Sequence, residues 1–267
     1  MSGKASCGRR DEVRQEGAVR RFEGKVALVT GAAAGIGRAT AERLALEGAS
    51  LACVDLSLEG LEETAKRCAE LGAAVETVRC DVADPAQVEA AVRACVARFG
   101  RLDALVNIAG ILSLDHTHEL SLERWNQVLT VNLTGTFLFC RAALPHLLER
   151  GGAIVNTSST SALAGMPWAA AYGASKAGIL ALTRTLAVEY AKKGLRANAV
   201  CPGSIKTAMG SRAHLPEGID LALLQRAMPL DKARGPEVVA AVIAMLASDD
   251  GAHVNGESIR VDGGTLA

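Results

Sequence analysis

The sequence carries no excess charge of either sign, because 29 Lys and Arg residues balance 29 Asp and Glu residues. A chain without a net field is not drawn to phosphate backbones or anionic lipids, which argues against nucleic-acid or membrane-surface binding as a main role. The composition is otherwise that of a globular protein, with 49% of the 267 residues apolar and 22% charged. A chain of this length can bury a sizeable core in one large domain or two small ones.

Paired cysteines and metal-ligand motifs are also missing. The seven cysteines are odd in number and include no CxxC spacing, so they indicate neither a disulfide framework nor a zinc site. We expect most of them to be small core residues in a reducing compartment. His116 and His118 form an HxH pair without a third ligand pattern nearby, and we therefore predict no metal site.

Long apolar runs and export signals are absent as well. Residues 1–22 are charged throughout and contain no apolar stretch, so they predict a disordered N-terminal extension rather than a secretory signal or an anchor. Ser2 stands where N-myristoylation needs glycine, and the longest wholly apolar run, Val238 to Ala247, is too short to cross a bilayer. The sequence therefore predicts a cytoplasmic protein.

From Lys25 onward, short β-branched runs alternate with longer helical stretches, a pattern typical of a parallel sheet covered by helices on both faces. Runs such as VALVT and AIVNT are apolar almost continuously, as expected for strands buried on both faces. We predict a single α/β domain over residues 23–267, with a doubly wound sheet. Its predicted strands are Val26 to Thr30, Leu51 to Val54, Val75 to Cys80, Ala104 to Asn107, Ala153 to Thr157, Ala197 to Val200 and Ser258 to Val261. Its helices are predicted to start near Gly35, Leu58, Pro85, Leu122, Tyr172 and Pro236.

One stretch departs from this alternation. From Pro202 to Leu230 the chain has three prolines, three glycines and a short amphipathic piece, Ile219 to Met228. The stretch is too long for an ordinary connection between a strand and a helix. Because long loops of this kind often cover active sites, we predict a substrate lid at about residues 203–230.

A glycine-rich turn follows the first predicted strand and opens the first predicted helix. It reads TGAAAGIG over residues 30–37, a GxxxGxG spacing that differs from GxGxxG. Glycines at this place let the chain turn tightly and bring backbone N–H groups, with the positive end of the helix dipole, against a pyrophosphate. A simple packing role is the alternative, and the position between VALVT and RATAERLALEG favours a nucleotide site.

An acidic residue ends the second predicted strand. Asp55 lies 18 positions beyond Gly37, close to the roughly 20 expected for a carboxylate that holds the adenosine ribose hydroxyls. A helix cap is the alternative. A ribose-binding carboxylate would repel a 2′-phosphate, and neither Ala34 nor Leu56 supplies a positive charge to neutralise one. The sequence therefore favours NAD(H), with Arg38 expected to point from its helix toward solvent.

Tyr172 and Lys176 lie four residues apart at a predicted helix start, YGASK, which places both side chains on one helix face. A free phenol has a pKa of about 10, so it acts as a base at neutral pH only with help. A neighbouring ammonium and a positively charged nicotinamide favour the phenolate. This spacing occurs by chance in many helices, and it gains its meaning from the motifs around it.

Seven motifs follow one another along the chain: TGAAAGIG, NIAG from Asn107, TVNLTG, NTSSTSA, YGASK, CPGSIKT and RVDGG. In this order and spacing, from Lys25 to Gly264, the chain resembles the classical short-chain dehydrogenase/reductase family. The resemblance implies a single Rossmann domain with a seven-stranded sheet and a nicotinamide cofactor. It also implies a catalytic set, which by position consists of Asn132, Ser159, Tyr172 and Lys176.

The same resemblance implies a role for each catalytic residue. Tyr172 passes a proton to or from the substrate oxygen while hydride moves between carbon and nicotinamide. Ser159, thirteen residues before the tyrosine, hydrogen-bonds that oxygen. Its competitors of the same chemistry are Ser158 and Ser161. Lys176 lowers the pKa of the phenol and bonds the nicotinamide ribose, while Asn132 holds, through its side chain or a freed carbonyl, a water that relays protons to Lys176.

Cofactor contacts follow from the resemblance position by position. Asp81 and Val82 are expected to bracket the adenine, and the turn over residues 202–207 is expected to hold the carboxamide. Ile108 departs from the family's usual residue, whereas Asn107, which ties neighbouring strands together, is retained. The implied cofactor contacts are Gly31, Ala34, Gly35, Ile36, Gly37, Asp55, Leu56, Asp81, Val82, Asn107, Ala109, Gly110, Tyr172, Lys176, Pro202, Gly203, Ile205 and Thr207.

The expected substrate pocket is apolar. Its candidate lining residues lie between the serine and the tyrosine and in the predicted lid: Leu163, Met166, Trp168, Met209, Leu223 and Leu224. A place in the core is the open alternative for all of them. Only Lys206 and Arg212 offer a positive charge nearby, so the substrate is expected to be a mainly apolar secondary alcohol or ketone.

We therefore predict an NAD(H)-dependent oxidoreductase that interconverts a secondary alcohol and a ketone. An NADPH-dependent 3-oxoacyl-[acyl-carrier-protein] reductase is one alternative, which Asp55 together with Ala34 opposes. A non-catalytic NAD(H)-sensing protein is another, which the intact catalytic set opposes. The family is usually tetrameric, and the small and apolar residues from Ala177 to Val188 offer a flat interface, so a homotetramer is expected.

Overall fold

The computed structural model describes residues 19–211 and 214–267. Its strands are β1 (Val26–Thr30), β2 (Ser50–Asp55), β3 (Val75–Arg79), β4 (Ala104–Asn107), β5 (Ala153–Thr157), β6 (Arg196–Pro202) and β7 (Ser258–Val261). They form one parallel sheet in the order β3-β2-β1-β4-β5-β6-β7. The winding direction reverses between β1 and β4, and doubly wound sheets bind ligands in the crevice at the carboxyl ends of such strands.

Helices cover both faces of the sheet. They are α1 (Gly35–Leu46), α2 (Leu58–Glu70), α3 (Pro85–Phe99), α4 (Leu122–Leu129), α5 (Gly135–Leu147), α6 (Ala170–Tyr190), α7 (Ala208–Ser211) and α8 (Glu237–Ala247). One core cluster joins α1, α2 and α8 to the sheet through Leu44, Leu61 and Ile243. The other joins α3, α5 and α6 to the opposite face, with Phe139 and Leu186 among its buried residues. The predicted fold class, a doubly wound seven-stranded α/β sheet, is confirmed.

Most predicted boundaries are close to the observed ones. β1, β4, β5 and β7 have the predicted bounds, while β2 and β6 are longer and β3 ends one residue earlier. The predicted starts of α1, α2, α3 and α4 are confirmed. α6 begins at Ala170, two residues before the predicted start, and α8 at Glu237, one residue after it.

One long helix crosses the region that carries Asn132. α4 continues through a π-helical turn, Thr130–Thr134, directly into α5. Within the described part of the chain this is the one helix that is long and apolar enough, by length and composition, to cross a membrane, and 44% of its apolar window is buried inside the protein. Because Phe139 and Ala143 pack in the core, its apolarity is that of a core helix.

Ordered structure is present before the predicted end of the N-terminal extension. Phe22 is only 1% exposed and belongs to the core, and the Arg21 guanidinium pairs with Glu47, at 2.6 Å, and with Asp250, at 2.8 Å. The prediction of a disordered segment through residue 22 is therefore wrong for this end, because an aromatic ring and an ion pair anchor it to α1 and to the end of α8. Residues 1–18 lie outside the described residues, and for them disorder stays a prediction.

Six cysteines lie inside the domain. All six are buried, as expected for small core residues, and Cys7 lies outside the described residues. Burial raises the pKa of each described thiol, so none of them is set up as a nucleophile. The buried residues are Cys53, Cys68, Cys80, Cys95, Cys140 and Cys201.

The segment predicted as a lid has little regular structure. It contains α7 and one run of 3₁₀ turns, Leu221–Ala227, which replaces the predicted amphipathic piece. Residues 212 and 213 lie outside the described residues, and Arg212, a candidate positive charge of the pocket, is one of them. Movement of the segment as a lid stays a prediction.

Candidate active site

The turn between β1 and α1 has a shape that only glycine allows. Gly31 has φ +70°, and a Cβ there would lie 2.8 Å from the backbone nitrogen of Ala109. A Cβ at Gly37 would lie 1.9 Å from the carbonyl oxygen of Gly31. Neither position accepts a side chain without a shift of backbone atoms. The turn therefore lies directly against the segment that follows β4, at the crevice where the sheet reverses.

The start of α1 lacks a capping group of its own. Ala34, at the N-cap, makes no side-chain hydrogen bond, and the first turn contains no acidic residue. The first N–H groups and the positive end of the helix dipole are thus available to an anion. Gly35 has φ +53° and a Cβ there would lie 3.4 Å from Thr207 Cγ2, so the turn after β6 lies beside this helix start. Ile36 packs against the core below. These residues fit a dinucleotide pyrophosphate.

Asp55 ends β2 and faces the glycine-rich turn. Its Oδ2 accepts the Ala33 N–H at 3.1 Å, and its Oδ1 accepts the Ser57 N–H at 3.0 Å. Ser57 rather than Asp55 caps α2, because the Ser57 side chain accepts the Gly60 N–H. The cap alternative for Asp55 is therefore wrong. Leu56, beside it, is 55% exposed. Each carboxylate oxygen has room for a second hydrogen bond, as ribose hydroxyls require.

Arg38 does not point toward solvent, and that prediction is wrong. The guanidinium is partly buried and donates hydrogen bonds to Thr64 Oγ1, at 3.0 Å, and to the carbonyl oxygen of Ala33. α2 passes close to the start of α1, so the long side chain reaches acceptors that are distant in the sequence.

Asp81 and Val82 follow β3 at the same edge of the sheet. Val82 is 8% exposed and lies against Gly135, where a Cβ would come within 2.9 Å of Val82 Cγ2. The Asp81 carboxylate accepts the Ala83 N–H at 2.9 Å, which fixes its direction. The pair predicted to bracket the adenine thus lies at the carboxyl ends of the strands, next to the start of α5.

The NIAG segment is held by buried polar groups. Asn107 donates through Nδ2 to Asn156 Oδ1 at 2.9 Å, and Asn156 donates to Thr183 Oγ1 at 3.0 Å, so β4, β5 and α6 are tied together. Thr30 Oγ1 accepts the N–H groups of Ile108 and Ala109 at 3.0 and 3.2 Å. Ile108, the departure from the family pattern, packs its side chain against the core.

The structure separates the three serines that compete for a place beside Tyr172. Ser159 lies beside the Tyr172 phenol and acts to lower its pKa. Ser158 is committed elsewhere, since its hydroxyl donates to the carbonyl oxygen of Lys176 at 2.8 Å. Ser161 contributes its backbone N–H, which donates to Ser159 Oγ at 3.2 Å. Ser159 is thus the serine that contacts the phenol, and the other two hold its surroundings in place.

Lys176 lies in the same buried corner. Its ammonium donates to the carbonyl oxygen of Thr157 at 2.8 Å and lies 5.7 Å from the centroid of the Tyr172 ring. Burial lowers the pKa of Lys176 to about 8. Burial also raises the pKa of the Tyr172 phenol, while the Ser159 hydrogen bond acts in the opposite direction. The phenol is therefore in its neutral form at neutral pH in the protein alone.

Asn132 lies in the π-helical turn and is fully buried. Its Oδ1 accepts the Ile111 N–H at 2.8 Å, and its Nδ2 donates to the Ile111 carbonyl at 2.9 Å and to Ser175 Oγ at 3.1 Å. The carbonyl oxygen of Asn132 accepts the Thr136 hydroxyl at 2.7 Å. Both N–H donors of the side chain are used by Ile111 and Ser175, whereas Oδ1 accepts one hydrogen bond, so a relay water on the side chain stays a prediction and would have to lie at Oδ1.

Ser175 is a residue of the site that the sequence reasoning missed. Its hydroxyl accepts from Asn132 and donates to the carbonyl oxygen of Tyr172 at 2.7 Å. It thereby joins the helix that carries Asn132 to the helix that carries Tyr172. The signal was present, since this serine stands inside YGASK directly before Lys176. Gly110 lies against Asn132, where a Cβ would be 3.0 Å from Asn132 Oδ1.

The turn after β6 lies at the other side of the site. A Cβ at Gly203 would lie 2.9 Å from Asp262 Cβ, so Pro202 and Gly203 run directly against the C-terminal segment. Ile205 forms a parallel bridge with Arg234. Thr207 adjoins Gly35. The predicted carboxamide turn and the predicted pyrophosphate turn are thus neighbours.

The loop before α6 contains a strained residue. Trp168 has φ +62°, the one positive φ of a residue other than glycine in the described ranges, and its carbonyl accepts the Asp115 N–H at 2.8 Å.

His116 connects the same region to the segment predicted as a lid, because its Nε2 lies 2.8 Å from the carbonyl oxygen of Glu217. In residues 19–211 and 214–267 no group of three His, Cys, Asp or Glu side chains could hold a metal ion.

The candidate pocket residues lie around this loop and the lid. Leu163, Met209 and Leu223 are each about two-fifths exposed, at 42%, 42% and 41%. None of the six candidates belongs to a hydrophobic core cluster of the described residues. The core alternative is therefore not supported for Leu163, Met166, Trp168, Met209, Leu223 or Leu224.

Known proteins resemble this chain over nearly its whole length. A family model described as enoyl-(acyl carrier protein) reductase matches residues 31–265. D-threitol dehydrogenase from Mycolicibacterium smegmatis is 43% identical over 245 residues, which cover 91% of this chain and 94% of that protein. 3-Oxoacyl-[acyl-carrier-protein] reductase from Thermotoga maritima is 41% identical over 247 residues, which cover 92% of this chain and 99% of that protein.

The fold of a solved structure also matches the fold of this chain. The crystal structure of carveol dehydrogenase from Mycobacterium avium in complex with NAD superimposes with a TM-score of 0.84 at 32% identity, over 92% of this chain and 99% of that one. The family model, the relatives and the solved structure all extend across both the glycine-rich turn and the Tyr172 corner. The chain belongs to the short-chain dehydrogenase/reductase family.

Proposed function

We propose that this protein interconverts a secondary alcohol and the corresponding ketone with NAD(H). One observation carries the proposal: Ser159 lies beside the Tyr172 phenol and the Lys176 ammonium lies 5.7 Å from the centroid of the Tyr172 ring, in a corner beside a turn that only glycines allow. A phenol placed in this way can exchange a proton with a substrate oxygen. A glycine turn at an uncapped helix start can hold a dinucleotide. A dehydrogenase needs such a phenol and such a dinucleotide-binding turn next to each other.

Bound NAD(H) supplies the hydride acceptor for oxidation and the hydride donor for reduction. Tyr172 gives its proton to the substrate oxygen in the reduction and takes it back in the oxidation. Ser159 donates a hydrogen bond to the same oxygen as charge develops there. Because burial raises the pKa of Tyr172, the phenol suits the reduction as it stands, and the oxidation needs a nearby positive charge to favour the phenolate.

Lys176 supplies part of that charge. With a pKa of about 8, most of the ammonium is protonated at neutral pH. One of its three N–H donors is used by the Thr157 carbonyl, so two remain for ribose hydroxyls of the nicotinamide side. Lys176 therefore both orients the dinucleotide and biases the proton of Tyr172.

Asn132 is a positioning residue of the site. Its amide braces Ile111 and Ser175 and thus fixes the backbone on both sides of the catalytic corner. Its carbonyl oxygen accepts the Thr136 hydroxyl, and a carbonyl oxygen has two lone pairs. We assign the relay water to that carbonyl rather than to the side chain.

The cofactor preference follows from Asp55. The carboxylate sits at the end of β2 with both oxygens turned toward the turn and the start of α2, where the adenosine ribose is expected. It would accept hydrogen bonds from both ribose hydroxyls and repel a 2′-phosphate. The related carveol dehydrogenase was solved in complex with NAD, which supports the same preference.

The proposed substrate is mainly apolar. The candidate wall residues Leu163, Met166 and Trp168 stand outside the core clusters, and Leu221 and Met228 of the predicted lid are exposed. Relatives named for threitol and carveol fit an alcohol as the reduced substrate.

An acyl-carrier-protein reductase is the second candidate, because a relative of nearly equal identity carries that activity in its name. NADPH dependence would require a group that neutralises the 2′-phosphate beside Asp55, and the neighbouring Ala34 and Leu56 are uncharged. We therefore place this candidate behind the alcohol dehydrogenase.

The proposed assembly is a homotetramer and the proposed location is the cytoplasm. We propose α6 as the interface helix, because Val188 on this helix is 82% exposed.

The test is nicotinamide turnover, followed by absorbance, with a panel of secondary alcohols and ketones and with both NAD(H) and NADP(H). The expected result is turnover with NAD(H) that Tyr172→Phe abolishes. Tyr190→Phe is the matched control, because Tyr190 ends the same helix far from the corner and loses the same hydroxyl. Turnover with NADP(H) alone would overturn the cofactor assignment, and turnover in Tyr172→Phe would overturn the catalytic assignment.

A further inference from the structure

Arg38 lies on the first turns of α1, directly beneath the glycine-rich turn. Its Nη2 donates to the carbonyl oxygen of Ala33 and, at 3.3 Å, to that of Gly60, while its Nε donates to Thr64 Oγ1 at 3.0 Å. One guanidinium therefore joins the turn after β1 to the first two turns of α2. These described hydrogen bonds all end on uncharged oxygens.

Thr64 and Gly60 complete the same connection. The Thr64 hydroxyl contacts the carbonyl oxygens of Ala32, at 2.8 Å, and Gly60, at 2.9 Å, and the side chain is fully buried. A Cβ at Gly60 would lie 2.6 Å from the Cβ of Ala33, so α2 approaches the turn as closely as glycine permits. We call the side chains of Arg38 and Thr64, with the backbone of Ala32, Ala33 and Gly60, the turn clamp.

The turn clamp adjoins the two N–H groups that hold the Asp55 carboxylate. Asp55 accepts one N–H from Ala33, on the turn, and one from Ser57, at the start of α2. Both donors belong to the two backbone segments that Arg38 joins. Separation of these segments would lengthen the bond from the Ala33 N–H to Asp55, since the Ser57 bond lies within the turn from Asp55 to Ser57.

We propose that Arg38 is a positioning residue for cofactor choice: through the turn clamp it holds Asp55 where NAD(H) gains two ribose hydrogen bonds and a 2′-phosphate is repelled. The inference rests on the proposed NAD(H) preference and deepens it. An arginine this near the adenosine end would ordinarily be assigned to a 2′-phosphate. Here its Nε and Nη2 donors are turned to carbonyl and hydroxyl oxygens.

The experiment compares the dissociation constants of NADH and NADPH, measured by fluorescence titration, for the full chain and its variants. Arg38→Met keeps the aliphatic stem and removes the hydrogen bonds. Thr64→Val removes the hydroxyl from the same clamp without changing any charge. Arg43→Met is the matched control, because it removes one guanidinium from the same helix, and Arg43 pairs with Glu47 away from the turn.

Arg38→Met is expected to weaken NADH binding about tenfold and to leave NADPH binding within about twofold, so that the preference falls about tenfold. A change of this size corresponds to one well-formed hydrogen bond to a charged group. Thr64→Val is expected to shift the preference in the same direction by a smaller factor, and Arg43→Met to leave it unchanged. Arg38→Lys is expected to recover part of the preference, because an ammonium can still reach one of the carbonyls.

Two results would overturn the inference. If Arg38→Met weakens NADPH binding more than NADH binding, the guanidinium serves the 2′-phosphate instead. If it weakens both equally, with a lower Tm, the clamp is only structural. A wild-type protein that prefers NADPH would contradict the proposed function, and that outcome is read from the wild type alone, independently of the change in Arg38→Met.

Discussion

The amide of Asn132 donates a 3.1 Å hydrogen bond to the hydroxyl of Ser175, which in turn donates to the carbonyl oxygen of Tyr172. The π-helical turn between α4 and α5 and the first turns of α6 are joined at this point. Both residues are completely buried. The position of the Tyr172 phenol therefore depends on a contact between two helices that are far apart in the sequence.

Ser175→Ala removes the acceptor of Asn132 and the donor to Tyr172. We expect a loss of about 1 to 3 kcal/mol in stability, because a buried amide N–H loses its partner. We also expect kcat/KM to fall by at least tenfold, since small displacements of a catalytic group are costly. Thr185→Ala is the control: its hydroxyl makes a similar bond to a helix carbonyl, at 3.1 Å, on the exposed side of α6. Equal activity losses in both variants would contradict the assignment.

Lys176 predicts a pH dependence of stability. Burial lowers its pKa from 10.5 in the unfolded chain to about 8 in the folded protein. Between these values the unfolded chain binds more protons than the folded protein, so the free energy of unfolding rises with pH from about 8 to about 10.5. Lys176→Met loses this contribution. Denaturant unfolding of both proteins across that pH range is expected to show the wild type gaining stability relative to the variant, and parallel curves would disprove the assignment.

Gly37→Ala tests the shape of the dinucleotide turn. Its Cβ would lie 1.9 Å from the Gly31 carbonyl oxygen, a backbone atom, so the turn has to move. We expect NADH affinity to fall by at least about a hundredfold, as the N–H groups lose their common direction. Gly165→Ala is the control, because a Cβ there would meet no atom within 4 Å. Retained NADH affinity in Gly37→Ala, measured by titration, would show that the turn does not hold the cofactor.

The positive φ of Trp168 predicts that glycine is more stable than alanine at this position. At φ +62° any Cβ is strained, and only glycine escapes the strain. Trp168→Gly is therefore expected to be more stable than Trp168→Ala by about 1 to 2 kcal/mol, although glycine is ordinarily the less stable of the two. Both variants lack the indole, so their difference isolates the backbone. Denaturant midpoints with the usual ranking, alanine above glycine, would contradict the strain.

Local sequence pattern predicted the sheet and the motif positions well. Continuous apolar runs such as VALVT mark buried strands, and the order of glycine turn, Asp55 and YGASK follows the chain, so these features need only neighbours in sequence. The direction of Arg38, the partners of Asn132 and the packing of Phe22 depend on residues from other elements. Spacing along the chain carries no information about those contacts, which is why the predictions for Arg38 and Phe22 needed correction and the partners of Asn132 were not predicted.

The central claim is that one corner of this protein moves hydride between a substrate carbon and NAD while Tyr172 moves the proton. The most direct measurement uses a secondary alcohol, found active in the panel, with deuterium on its carbinol carbon, and determines by mass spectrometry whether the deuterium appears in NADH. The account predicts label in NADH with the wild type and with Tyr190→Phe, and none with Tyr172→Phe. Turnover without label in the nicotinamide, or label transfer that survives in Tyr172→Phe, would contradict it.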